Sequence, residues 1–112
     1  TPADIAAYVE AHRDRLCRAY VASDSAIAFH FMRELTKRGV RIPDDVQVAA
    51  FDDSVLASVS EPAMTVVKID VVSLGMAAAR MLIQQLRAGE QRPEHLLLPV
   101  SIIERGSTKM RE

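Results

Sequence analysis

Residues 41–53 read Arg-Ile-Pro-Asp-Asp-Val-Gln-Val-Ala-Ala-Phe-Asp-Asp, and this stretch decides the fold class. Its first five residues are typical of the turn that follows a helix, and residues 46–51 predict a short strand that is apolar on both faces. Parallel strands covered by helices on both faces have this pattern. The strand ends on Asp52 and Asp53, and open α/β sheets bind ligands beyond the carboxyl ends of their strands. The stretch therefore predicts an α/β fold with carboxylates at the ligand-binding edge.

The rest of the chain alternates between helical and extended patterns around this strand. Helices are predicted from residue 1 to about 16, from 24 to about 38 and from 70 to about 88, with a helical turn at 54–60. The other predicted strands cover 18–22, 64–69 and 95–104, followed by a polar tail at 105–112. Gly39 and Gly89 supply left-handed helix exits, and Pro99 places the last strand at an edge or a crossover. This order predicts an α/β sandwich with a mostly parallel sheet.

Composition narrows the class of protein. A length of 112 residues allows one domain or part of a larger one, and a hydrophobic content of 49% is sufficient for a globular core. The net charge is −1 without any basic block, which argues against a nucleic-acid surface on this chain. The single cysteine, Cys17, fits a reducing compartment. The sequence also predicts neither a membrane span nor an export signal.

Several stretches, taken in order, resemble one family of proteins. They are Ala-Ser-Asp-Ser-Ala-Ile-Ala at 22–28, Gly-Val-Arg-Ile-Pro-Asp-Asp-Val at 39–46, Phe-Asp-Asp at 51–53, Pro-Ala-Met-Thr-Val at 62–66, Gly-Met-Ala-Ala at 75–78, and Leu-Pro-Val-Ser-Ile-Ile-Glu-Arg-Gly-Ser-Thr at 98–108. Together they resemble the C-terminal part of the effector-binding core of lactose-repressor (LacI/GalR) type transcription regulators.

The resemblance implies a Rossmann-like, periplasmic-binding-protein-like core of two subdomains with a small-molecule effector between them. The effector would be a sugar or sugar derivative, or a nucleoside-like molecule. Residues 1–61 would belong to the C-terminal effector-binding and dimerisation subdomain, 62–94 to a crossover strand and helix of the N-terminal subdomain, and 95–112 to the return strand and tail. Operator DNA would be bound only through a helix-turn-helix domain absent from this chain. The resemblance further implies a cytoplasmic homodimer without cofactor or enzymatic activity.

Four residues are candidates for effector contact under this resemblance. Asp52 is the first choice because a carboxylate can accept hydrogen bonds from two sugar hydroxyls; alternatively it only ties down its own turn. Ser23 occupies a position that is often polar and effector-contacting, but it could also cap the following helix. Val71 and Leu74 match positions near the effector, but core packing is the favoured role for both, since Val71 stands where an aromatic residue often stacks on a sugar ring. Asp53 is expected to be structural, capping the turn that follows.

The family resemblance also predicts a dimer interface. It places Ala28, Leu56, Val59 and Ser60 at the contact between two copies, and exposed aliphatic residues in a turn are typical of partner surfaces. The alternative is that these residues cover one end of the local core. The predicted helix 70–88 adds a second reason for association, since its apolar face would lack its usual subdomain and would fold back, pair with another chain or swap.

Two other classes of protein remain open at this point. Adjacent carboxylates at a strand end also occur in magnesium-dependent phosphoryl-transfer enzymes, but further acids or a lysine are then needed, and Lys68 is the nearby candidate. A periplasmic sugar receptor would share the fold and would carry an export signal upstream. His12, His30 and His95 do not have the spacing of zinc ligands, so no metal site is predicted.

Overall fold

Four strands form a single sheet in the computed structural model, which describes residues 1–89 and 92–109. The elements in chain order are α1 (Pro2–His12), β1 (Ala19–Ala22), α2 (Ser25–Lys37), β2 (Gln47–Phe51), α3 (Val55–Val59), β3 (Thr65–Lys68), α4 (Val71–Ala88) and β4 (Ser101–Ile103). The strand order is β1-β2-β3-β4; the first three strands are parallel, and β4 runs antiparallel to β3 at the edge. The predicted α/β class, the mostly parallel sheet and the edge position of the last strand are confirmed.

The helix ends follow local sequence signals. Thr1 and Asp4 form a capping box at the start of α1, and the Asp24 carboxylate accepts a hydrogen bond from the Ile27 amide at the start of α2, at 2.8 Å. After α2 the chain leaves through Gly39, whose φ of +78° lies in the left-handed region that favours glycine. Helix α1 ends at His12, four residues earlier than its apolar stripe predicts.

The core lies between α2 and one face of the sheet. Side chains of α2 such as Leu35 pack on this face, where Val48 and Ala50 of β2 and Val66 of β3 are fully buried. Helices α1 and α3 pack against α2. The opposite face, which carries Phe51, stays largely exposed within the described part of the chain. The second helix layer that the apolar pattern predicts is therefore not supplied by the described residues.

Strand β4 is shorter than predicted. Its three residues pair with Val66–Lys68, and the predicted first half of the strand, residues 95–100, makes no ladder. Strand β3 ends at Lys68, so no strand residue stands opposite the chain before Ser101. Pro99 also lacks the amide that a ladder would need.

The predicted polar tail is instead tied into the sheet, at least as far as residue 109. We call residues 105–109 the closing segment. Its Ser107 is fully buried; the Ser107 hydroxyl donates to the Val48 carbonyl at 2.5 Å and accepts from the Thr65 amide at 2.8 Å. The segment thus completes the hydrogen bonding of β2 just ahead of the start of β3. The remainder of the predicted tail, residues 110–112, lies outside the described residues.

Helix α4 is the least integrated element. Asp70 caps its first turn and Gly89, with φ of +65°, ends it, as the sequence predicts. None of its 18 residues is buried, and apolar side chains such as Leu82 and Leu86 face outward. Within the described part of the chain, α4 does not fold back onto the core, in line with the expectation that its apolar face lacks its usual subdomain.

Candidate functional site

The carboxyl ends of β1, β2 and β3 form one edge of the sheet, which we call the carboxyl edge. Ala22 pairs with Ala50 and Phe51 with Val67, so the strands end side by side. Ser23 follows β1 directly, Asp52 follows β2, and Val71 begins α4 just beyond β3. Parallel topology therefore brings three of the four predicted effector residues to the same edge, and Leu74 follows in the first turn of α4.

Asp52 has an unusual backbone conformation. Its φ of +77° makes it the one residue other than glycine with a left-handed backbone in the described part of the chain. Aspartate tolerates this region better than most residues, yet the conformation persists only where surrounding contacts hold it. The Asp52 amide donates to the Val67 carbonyl at 2.9 Å. Its exposed carboxylate makes no hydrogen bond to any described residue, so it does not tie down its own turn and is available to a ligand.

The residues after Asp52 fix the rest of this turn. We call residues 52–54 the Asp52 turn. The Asp53 carboxylate forms an ion pair with Arg105, with 2.8 Å between Oδ1 and Nη1, and Ser54 exchanges a 2.6 Å hydroxyl hydrogen bond with buried Ser25 of α2. Asp53 is therefore structural, as predicted, but through Arg105 and not as a cap. Sequence reasoning missed Arg105, whose only signal was its place in the Glu-Arg-Gly-Ser-Thr motif.

The other candidates border open space at this edge. Ser23 is exposed and leaves the capping of α2 to Asp24. A cavity of about 620 Å³ lies beyond β3, between the start of α4 and residues 99–101, and Val71 and Asp70 line it. Leu74 is half-exposed on the same turn of the helix. A second cavity of about 350 Å³ lies against the free edge of β1 and contains none of the predicted site residues.

Asp70 adds a second fixed carboxylate to the carboxyl edge. The Ser73 amide and hydroxyl donate to it at 3.0 and 2.7 Å, and these hydrogen bonds lower the pKa of Asp70 below its ordinary value. The carboxyl edge thus carries negative charge with hydroxyl and aliphatic groups beside it. Among residues 1–89 and 92–109, no group of three His, Cys, Asp or Glu side chains is arranged to hold a metal ion.

The predicted interface residues differ in what they offer to a partner. Ala28 is fully buried in the core and Ser60 nearly so, with its hydroxyl bonded to the Pro62 carbonyl at 3.0 Å. Leu56 is half-buried. Val59 is 67% exposed, and Val55, one helical turn earlier on α3, is 76% exposed. The outward apolar surface of this region is therefore concentrated on α3.

Comparison with known proteins agrees with this architecture. Residues 2–108 match the family described as the periplasmic binding protein-like domain. A probable opine utilization operon repressor of Rhizobium rhizogenes is 38% identical over 90 residues, covering 80% of this chain and 46% of that protein. The structure of a transcriptional regulator CelR–cellobiose complex matches with a TM-score of 0.80 and 28% identity, covering 95% of this chain and 32% of that one.

A third match is the lac repressor dimer bound to operator and the anti-inducer ONPF. It has a TM-score of 0.79 and 27% identity, covering 95% of this chain and 36% of that one. The chain spans about half the length or less of these relatives. It belongs to the periplasmic binding protein-like family and corresponds to part of the ligand-binding core of a LacI-family transcription regulator. These relatives are regulators and not enzymes. No helix in the described residues is long and apolar enough to cross a membrane.

Proposed function

We propose that this chain is the effector-sensing and dimerising part of a LacI-family regulator that acts on operator DNA in the cytoplasm. The carrying observation is the Asp52 carboxylate at the carboxyl edge, which is exposed and makes no hydrogen bond to any described residue while its own backbone is held in a left-handed turn. The effector would be a sugar or sugar derivative, and a nucleoside-like molecule is the alternative. The cellobiose bound by a similar regulator supports the sugar.

The chemistry of the carboxyl edge suits a polyhydroxylated ligand. The Asp52 carboxylate can accept hydrogen bonds from two adjacent hydroxyls, and such bonds to a charged acceptor are stronger than neutral ones. The Ser23 hydroxyl can donate or accept one more. Val71 and Leu74 can cover the apolar C–H face of a sugar ring, with no aromatic residue needed.

Helix α4, which does not pack into the core within the described part of the chain, would give the effector site a second wall. Residues 62–94 were predicted to form part of the N-terminal subdomain, but β3 pairs with β2 and Val66 lies in the core. We propose that α4 and the residues after it, up to 94, belong to the N-terminal subdomain, so that β3 and the return strand β4 connect two bodies and the effector lies between them. The absence of any buried residue on α4 supports this assignment. Effector binding would then favour one relative arrangement of the bodies, and an attached DNA-binding domain would respond to it.

The test is a thermal-shift screen of sugars, cellobiose among them, and nucleosides on the regulator that contains this chain, because a ligand of the native state raises its stability. The ligand that binds is then titrated into the Asp52→Asn variant. Loss of the charged acceptor should weaken binding roughly ten- to hundredfold, from about 1.5–3 kcal/mol, while operator binding without effector is retained.

Asp14→Asn is the matched control. Asp14 is an exposed carboxylate between α1 and β1, at the opposite end of the strands, and its substitution should leave the affinity unchanged. Calorimetric affinity of Asp52→Asn equal to that of wild type would remove Asp52 from the effector site.

We further propose that two copies associate through α3. Val55 and Val59 lie one helical turn apart and form an apolar strip on a short helix that α2 supports from below. The lac repressor dimer among the similar structures supports association of this kind. Ala28 and Ser60 would support the strip from inside the chain, and Leu56 would complete its base.

Val59→Asp should convert the dimer to monomer at micromolar concentration, because it places a charge in the apolar strip. Ala7→Asp, on the exposed side of α1, adds the same charge elsewhere and should leave the dimer intact. Sedimentation equilibrium measures both. A Val59→Asp protein that remains dimeric would contradict an interface through α3.

A further inference from the structure

The ion pair of Asp53 and Arg105 lies next to Asp52, although neither residue is among the proposed effector contacts. About four fifths of each side chain is shielded from solvent, at 20% and 19% exposure. The two residues are 52 positions apart in sequence, so the pair joins distant segments. Removing one partner of a shielded ion pair costs much more folding free energy than removing one partner of an exposed pair, because the remaining charge stays shielded from water without an opposite charge beside it.

Arg105 also contacts the strand that leads to α4. Its Nη1 donates to the Met64 carbonyl at 3.1 Å, and its backbone amide donates to the Thr65 hydroxyl at 2.9 Å. Met64 and Thr65 lie at the start of β3, and Arg105 follows the end of β4 by two residues. The guanidinium therefore joins the Asp52 turn to the start of β3, and Arg105 is continuous with β4 through the chain.

The Asp52 turn needs such an anchor. A left-handed backbone is unfavourable for a residue with a side chain, and one hydrogen bond from the Asp52 amide holds it directly. The Ser54 hydroxyl secures the far side of the turn on α2. Asp53 lies between these two contacts, and among residues 1–89 and 92–109 it is Arg105 that holds its carboxylate.

We propose that Arg105 is a positioning residue for the effector site: acting through Asp53, it holds the Asp52 carboxylate in its binding orientation and ties that orientation to β3 and β4. This inference rests on the proposed effector role of Asp52. A movement of the subdomain that contains α4 would then shift Asp52 through the Arg105 side chain. Effector binding at Asp52 would in turn favour one position of that subdomain.

Amide hydrogen exchange tests the positioning without any effector. In the regulator that contains this chain, Arg105→Gln and Asp53→Asn should each speed exchange of the Asp52 amide about tenfold or more. The double variant should add nothing to either single change, because the two residues act as one unit. Arg105→Lys keeps the charge opposite Asp53 and should restore slow exchange in part.

Thr108→Val is the matched control within the closing segment. The Thr108 hydroxyl bonds to Thr65 at 2.7 Å and does not contact Asp53. This variant should lower the melting temperature while Asp52 exchange stays at the wild-type rate. Wild-type exchange in Arg105→Gln, or equally fast exchange in Thr108→Val, would overturn the positioning role.

Sugar affinity separates this inference from the proposed function. With the sugar that gives the largest thermal shift in the screen, Arg105→Gln should bind about tenfold more weakly and Arg105→Lys should be intermediate. If wild type binds none of the sugars or nucleosides, the proposed function fails, and the exchange rates still decide whether Arg105 positions the turn. If Asp52→Asn loses sugar affinity and Arg105→Gln does not, the function stands and the positioning role is overturned.

Discussion

The Ser107→Ala substitution should destabilise the protein far more than the removal of one hydroxyl group suggests. The hydroxyl is fully buried and serves two backbone groups, accepting from the Thr65 amide and donating to the Val48 carbonyl. An unsatisfied buried donor costs about 1–3 kcal/mol, and loss of the hydrogen bond to the Val48 carbonyl costs about 0.5–1.5 kcal/mol. The sum is roughly 1.5–4.5 kcal/mol of unfolding free energy.

Urea denaturation followed by circular dichroism measures this cost. The midpoint should fall while the slope stays constant, since a changed midpoint at constant slope reports stability alone. Ser58→Ala is the matched control, because Ser58 is exposed and its hydroxyl, as far as the chain is described, bonds the Val55 carbonyl of its own helix. A change within about 0.5 kcal/mol is expected. A Ser107→Ala protein as stable as the Ser58→Ala protein would refute the assignment of the closing segment as a structural part of the sheet.

Two further predictions concern helix α2. Arg38 donates to Glu10 and Glu34 and lowers the pKa of both carboxyls below the usual 4.5, so their stabilisation is complete above that pH and is lost as the pH falls through the lowered values. Melting temperatures from pH 7 to 3 should therefore fall more steeply in wild type than in Arg38→Gln, and parallel curves would contradict the ion pairs. Gly39→Ala should cost about 1 kcal/mol in the same urea assay, since its φ is +78° and a Cβ there meets no atom within 4 Å. Gly39→Asn should cost less because asparagine tolerates the left-handed region, and equal costs would point to a cause other than backbone conformation.

Signals confined to a few neighbouring residues were readable from the sequence. Asp24 and Asp70 cap helices from three residues away, and Gly39 and Gly89 end them, so the helix order and most boundaries could be predicted. The two carboxylates after β2 also marked the carboxyl edge correctly, because parallel strands place their carboxyl ends together.

Features that depend on distant segments were not readable. The length of β4 depends on where β3 ends, and the roles of Asp53 and Ser107 depend on partners 52 and 59 positions away. The burial of Ala28 is set by how α2 lies on the sheet, which its helical pattern alone does not specify. Residues 105–109 look like a polar tail in the sequence, because the backbone groups to which their hydroxyls and amides bond lie elsewhere in the chain.

The closing segment has a consequence for how this protein is made. The Val48 amide and carbonyl can form their hydrogen bonds with Ser107 only after 59 more residues have been synthesised. At about 5–20 residues per second, translation leaves the centre of the sheet incomplete for roughly 3–12 s. During that time β2 and the start of β3 present unpaired backbone groups in an apolar setting, a form that neighbouring nascent chains could pair with. The sheet can therefore be completed only after Ser107 has been synthesised, and chaperones can shield the incomplete sheet during that interval.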